Sequence, residues 1–178
     1  MLNRIGLINC VLLFAATAWA DVESGPTVGE AVPALKVQAV VGSAAGKELD
    51  YAAERKAEPT IYLLVERTRF SRPMARFMKE LDGKLGDAPQ GTQIVAVWLT
   101  DDLAKTKAYL PVAQMSLNFS NTALAVVDGV ASPDGWGLHP DADLTVVVAV
   151  DGKVAKRWGF VSVNDTLVPQ VIEAFKKK

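Results

Sequence analysis

Residues 60–99 read TIYLLVERTRFSRPMARFMKELDGKLGDAPQGTQIVAVWL. The run 60–65 (TIYLLV) is continuously apolar, as a strand buried on both faces should be, and 94–99 (IVAVWL) repeats the signal. Between them Met74, Phe77, Met78, Leu81 and Leu85 recur at i, i+3, i+4, i+7 and i+11. That spacing predicts a helix, with Pro73 in its first turn, where a missing N–H is tolerated.

Working outward, 101–109 predicts a short helix whose leading acids suit its N-terminus, and 122–127 a third strand. A Gly-, Pro- and Asp-rich loop follows over 128–143. Residues 144–150 (LTVVVAV) are a fourth buried strand, Asp151-Gly152 is a hairpin turn, and 153–160 pairs back antiparallel. The last helix starts near Leu167 with Thr166 as its cap. It holds Pro169 in its first turn, buries Leu167, Val168, Val171, Ile172 and Phe175, and ends in Lys176, Lys177 and Lys178, which suit its negative pole. Toward the front, 21–33 is an irregular lead-in, 36–41 an edge strand and Gly46-Lys47 a turn. No internal repeat or linker interrupts this order, so 21–178 is read as one three-layer α/β domain with a mixed sheet.

The first 20 residues stand apart. Arg4 precedes an almost wholly apolar stretch, 5–18, and Ala18-Trp19-Ala20 is a small-x-small cleavage pattern before Asp21. This is the layout of a signal peptide, 1–20, which implies a secreted or periplasmic product. An uncleaved anchor is the alternative. No later stretch is long and apolar enough to span a bilayer, so no membrane span is expected after cleavage. Of 178 residues, 50% are hydrophobic and 22% charged, an ordinary globular composition. Removing Arg4 leaves 18 of the 19 basic residues against 20 acidic ones, and no basic stripe exists for a nucleic acid. The single cysteine is Cys10. A chain cut after Ala20 has no thiol, which excludes a disulfide framework, thiolate metal sites and cysteine catalysis.

Val28-Gly29-Glu30 followed by Pro33-Ala34-Leu35 is similar to the opening V-G-x-x-x-P-x-[FL] of a known family. Gly46-Lys47, Pro59 before the first central strand, and the hairpin Val150-Asp151-Gly152-Lys153-Val154 match its layout. In this order they resemble the thioredoxin-like redoxins, which include peroxiredoxins and extracytoplasmic disulfide reductases, over nearly all of 21–178. The resemblance implies a thioredoxin-like three-layer fold, a central mixed sheet flanked by helices. It also implies where the chemistry would sit. Anchored on Met78 and Leu81, the family's W-C-x-P-C segment falls on Phe70, Ser71, Arg72, Pro73 and Met74. The peroxiredoxin form T-x-x-C falls on Thr68 and Ser71. Both registers put serine at the nucleophile. The family's cis-proline position holds Asp143 or Leu144.

Serine does not replace that cysteine unaided. A thiol starts near a pKa of ~8.5 and a helix N-terminus lowers it further. A hydroxyl starts nearer to water, at ~15.7, and a helix end supplies only ~1.5 pKa units. Ser71 would need a general base, for which His139 is the single histidine available, and no G-x-S-x-G elbow is present. The plainer role is a helix cap.

Other residues carry weaker signals. Arg67, Arg69, Arg72 and Arg76 cluster at the same helix start, as an anion site or as a solvated face paired in part with Glu66 or Glu80. Asp128, Asp134, Asp141 and Asp143 are calcium-type oxygens without EF-hand spacing, in positions where Asp is an ordinary turn former. Trp136 is either an exposed partner anchor or a residue closing the core, and His139 alone makes no transition-metal site. Asn118 and Asn164 head glycosylation sequons.

The expectation is a cysteine-free binding or interaction module without cofactor or metal. Its ligand candidates are Arg69, Arg72, Arg76, Trp136 and His139, and its partner a peptide or protein segment held in the groove between 70–74 and 136–144. Two alternatives stand beside it: an enzyme using Ser71 with His139, and a structural subunit of an envelope assembly.

Overall fold

The computed structural model describes residues 21–176, so the expected signal peptide lies outside the described residues. Seven strands form one sheet: β1 (Lys36–Val41), β2 (Glu48–Asp50), β3 (Thr60–Glu66), β4 (Gln93–Thr100), β5 (Thr122–Asp128), β6 (Leu144–Val150) and β7 (Lys153–Phe160). Their order is β2-β1-β5-β4-β3-β6-β7, with β3, β4 and β5 parallel and the other pairings antiparallel. The helices are α1 (Tyr51–Arg55), α2 (Arg72–Gly83), α3 (Leu103–Leu117) and α4 (Val168–Glu173). This is the mixed α/β architecture the sequence predicts.

The sheet's two faces are covered differently. Both crossovers, β3-α2-β4 and β4-α3-β5, step the same way along the sheet, so right-handed connections deliver α2 and α3 to one face. There Ile61, Leu63, Ile94, Ala96, Val146 and Val148 meet Met74, Phe77, Met78 and Leu81 of α2, Leu110 of α3 and Val171 of α4. From β5 the chain must then recross β4 and β3 to reach β6. It does so as irregular loop over the other face, where Tyr62, Leu64, Val95, Val97 and Val147 pack with Leu35, Tyr51 and Trp136. Asp82, buried near the end of α2, fastens that helix to the start of β5. Its carboxylate accepts from Ser120 N and Asn121 N, both at 2.9 Å, and from Thr122 Oγ1 at 2.6 Å.

Several boundaries differ from expectation. β1 is not an edge strand: it lies between β2 and β5, and the three-residue β2 takes the edge. The other edge, β7, is screened by the lead-in, which bridges Val22 to Gly159 and Ala31 to Lys153. A side chain at Gly159 would stand 2.6 Å from Val22 O, so only glycine admits this approach. Helix α3 runs eight residues past Tyr109, through Pro111. Proline costs an interior helix one hydrogen bond, but Pro111 is exposed, where water can serve the freed Lys107 carbonyl. Thr166 is not the final cap. Asn164 Oδ1 accepts from Thr166 N at 2.9 Å and opens a 3₁₀ turn, Asp165–Leu167, ahead of a six-residue α4. Asp151 and Gly152 make the hairpin with φ of 54° and 72°, the left-handed pair that a two-residue turn of this twist requires.

Candidate functional site

The start of α2 forms where β3 ends. Glu66 leaves the strand, Arg67–Arg69 make one 3₁₀ turn, Phe70 is extended, and Ser71 caps the helix. Ser71 Oγ accepts the Met74 N–H at 3.4 Å, a long capping bond. Pro73 has no N–H, and Ala75 N donates to Ser71 O. Of the first backbone donors only that of Arg72 is left for a ligand, so the helix end offers an anion little.

The neighbouring side chains divide by burial. Ser71, Arg72, Pro73 and Arg76 are exposed, and Met74, at the second cysteine position of the family pattern, is wholly buried. Phe70 stands edge-on to Trp98 at 5.5 Å and to Tyr109 at 6.3 Å. Arg67 lies 4.5 Å over the Tyr109 ring, a partner the sequence did not suggest. Arg69 is already engaged: its Nε bonds Glu66 at 3.3 Å and its Nη1 bonds Asp143 at 3.2 Å. The arginines therefore do not converge. Arg67 is stacked, Arg69 is paired, and Arg72 and Arg76 face solvent.

The loop after β5 contributes differently from expectation. Trp136 is not a partner anchor. It is fully buried, edge-on to Tyr62 at 5.4 Å, and its Nε1 donates to Ala34 O at 3.1 Å. Nothing local marks it for burial, because its neighbours in sequence are turn formers. His139 is partly exposed, and its Nδ1 accepts from Asp141 N at 3.2 Å, which leaves the proton of the neutral ring on Nε2. Among the described residues no hydrogen bond joins Ser71 to His139, and no three metal-ligating side chains converge. Asp143 sits on Arg69, and Asp141 lies beside His139.

What the arrangement does form is a cleft of about 280 Å³ between the ends of the central strands and the loop, and contrary to expectation neither residues 70–74 nor Trp136 line it. Leu64, Leu99 and Leu138 are apolar walls, and Glu66, Arg69 and His139 are polar ones. The lining is more polar than apolar, and with two carboxylates already neutralising Arg69 it suits the backbone donors and acceptors of an extended segment better than a free anion.

No protein-family model and no curated protein matches the chain. Solved structures do. A DsbF homologue from Corynebacterium diphtheriae superposes with a TM-score of 0.61 at 12% identity, covering 90% of this chain and 96% of that one. A secreted thiol-disulfide isomerase from Corynebacterium glutamicum gives 0.57 at 11%, covering 79% and 81%. A peroxiredoxin-like protein from Aquifex aeolicus gives 0.55 at 18%, covering 86% and 91%. At such identities the likeness is one of architecture: this chain has a thioredoxin-like fold, and its single cysteine is Cys10, outside residues 60–99.

Proposed function

We propose that this chain is an extracytoplasmic thioredoxin-like binding module that works without cysteine redox chemistry. It holds an extended peptide or protein segment in the cleft between the end of β3, Arg69 and the 130–142 loop. One observation carries the reading. Where a redoxin would present its attacking thiol, Ser71 spends its oxygen on the Met74 N–H, and the second cysteine position, Met74, is part of the core. A hydroxyl there is a cap rather than a nucleophile. The signal-like segment 1–20, and structural neighbours that include a secreted isomerase, support the location. Among the described residues no helix is long and apolar enough to cross a membrane.

Two measurements on the purified protein test this. Insulin reduction and peroxide turnover should both be absent, and robust turnover in a thiol-free, metal-free preparation overturns the reading. Titration with a tiled set of unstructured decapeptides, followed through backbone amide shifts, should move residues at the end of β3 and in the 130–142 loop. Shifts confined to α4 or to the β2 edge would remove the cleft from consideration.

A further inference from the structure

Helix α3 is apolar on both sides. Thr106, Leu110 and Ala113 turn inward and are buried. Ala104, Ala108, Pro111, Val112 and Met115 are all exposed, Val112 at 52% and Met115 at 69%. Their spacing, i, i+4, i+7, i+8 and i+11, places them along one stripe opposite the buried face. A surface helix normally has a polar outer face, so this stripe is an unpartnered packing surface.

Two features say what fits it. The first is shape. The stripe is small in its first half (Ala104, Ala108) and large in its second (Val112, Met115). The second is charge. Lys105 and Lys107 flank the first half, and 108–118 contains no charged residue. A second α3 laid antiparallel places Met115 and Val112 of each copy over the alanines of the other. It also brings each lysine pair to the uncharged, carbonyl-bearing end of the facing helix, where the macrodipole favours cations. A parallel arrangement would set lysines against lysines and large residues against large ones. We infer that this stripe is a two-fold, antiparallel interface between two copies of this chain. A single helix pair covers less than the ~800 Å² per partner of a standard interface, so the dimer is a weak one.

Sedimentation of the purified protein over a concentration series up to about 1 mM should show reversible doubling of mass. Both test substitutions lie at an exposed position and should leave the circular dichroism spectrum unchanged. Met115→Lys, which sets a cation against Lys105 and Lys107 of the second copy, should weaken dimerisation at least about tenfold. Met115→Glu, facing the same lysines, should dimerise as well as the parent or better. A protein that stays monomeric throughout overturns the inference, as does a dimer indifferent to Met115→Lys or one that both charges weaken alike. So does binding of the parent to phosphatidylcholine vesicles that Met115→Lys and Met115→Glu both abolish, because the stripe would then be a membrane-surface element.

Discussion

Asp143 bonds the Arg69 guanidinium at 3.2 Å across 74 residues of sequence, tying the residue before β6 to the turn before α2. Arg69 lines the candidate cleft, and Asp143 is one of the two positions to which the redoxin resemblance assigns a proline. Both side chains are more than a third exposed, so the bond positions more than it stabilises. Arg69→Ala should cost under about 1 kcal/mol in urea unfolding. The same variant should change peptide-induced amide shifts around His139, whereas Arg76→Ala should leave them alone.

Ser71 is expected to behave as a cap. Ser71→Ala should lower stability by about 0.5–1 kcal/mol, at the small end because the bond is long, and Ser71→Asp should match or exceed serine, since an acid also suits the helix N-terminus. Denaturant midpoints read both. A loss of stability much larger than this, or an activity that vanishes with the hydroxyl, would speak for a different role.

Asp82 carries the largest polar contribution assigned to one side chain. Asp82→Ala leaves Ser120 N and Asn121 N without their acceptor and should cost about 2–4 kcal/mol. Asp82→Asn should recover only part of it, because its amide nitrogen must face one of those N–H groups. Chemical denaturation of the three proteins measures the series.

Burial pushes the Tyr62 phenol up to about 12 from its ordinary 10, with a Thr60 hydrogen bond opposing weakly. The folded chain thus holds this proton more tightly than the unfolded chain does. The stabilising difference is whole below pH 10 and drains away as pH rises from 10 to 12, up to about 3 kcal/mol. Tyr62→Phe should flatten that alkaline slope while leaving stability near neutrality within about 1.5 kcal/mol.

Trp136→Ala should cost about 3–5 kcal/mol, the range for emptying a large aromatic site in a packed interior. Trp136→Phe should cost less, through the Ala34 carbonyl it leaves without a donor. Thermal unfolding of both variants checks the order.

The central strands were legible because their chemistry is local. The runs 60–65, 94–99 and 144–150 are buried on both faces and need no partner to be recognised, and each falls within a residue of β3, β4 or β6. Elements set by distant contacts were not. The single turn of α1 exists because Asp50 Oδ1 accepts from Ala52 N and Ala53 N, a cap with too short a helix behind it to give a periodic signal. Pro111 reads as a stop, yet on an exposed side it is only a lost bond. The site was legible in its backbone, since Ser71 and Pro73 mark a helix start in any register. Its electrostatics were not, because the Arg69 partner lies 74 residues away. Trp136 was open between a partner anchor and a residue closing the core, and it is the second; its partner Ala34 was not legible, because a loop of turn formers gives no hint of where its side chain crosses.

That crossing sets a sequence of events as well as a shape. The Trp136–Ala34 bond closes a span of 102 residues, and chain entropy opposes so long a closure until the strands between are in place. The helical side of the sheet can assemble from near neighbours, one crossover at a time. The loop side has to wait for nearly the whole chain, so during folding it is the last part of the interior to become dry.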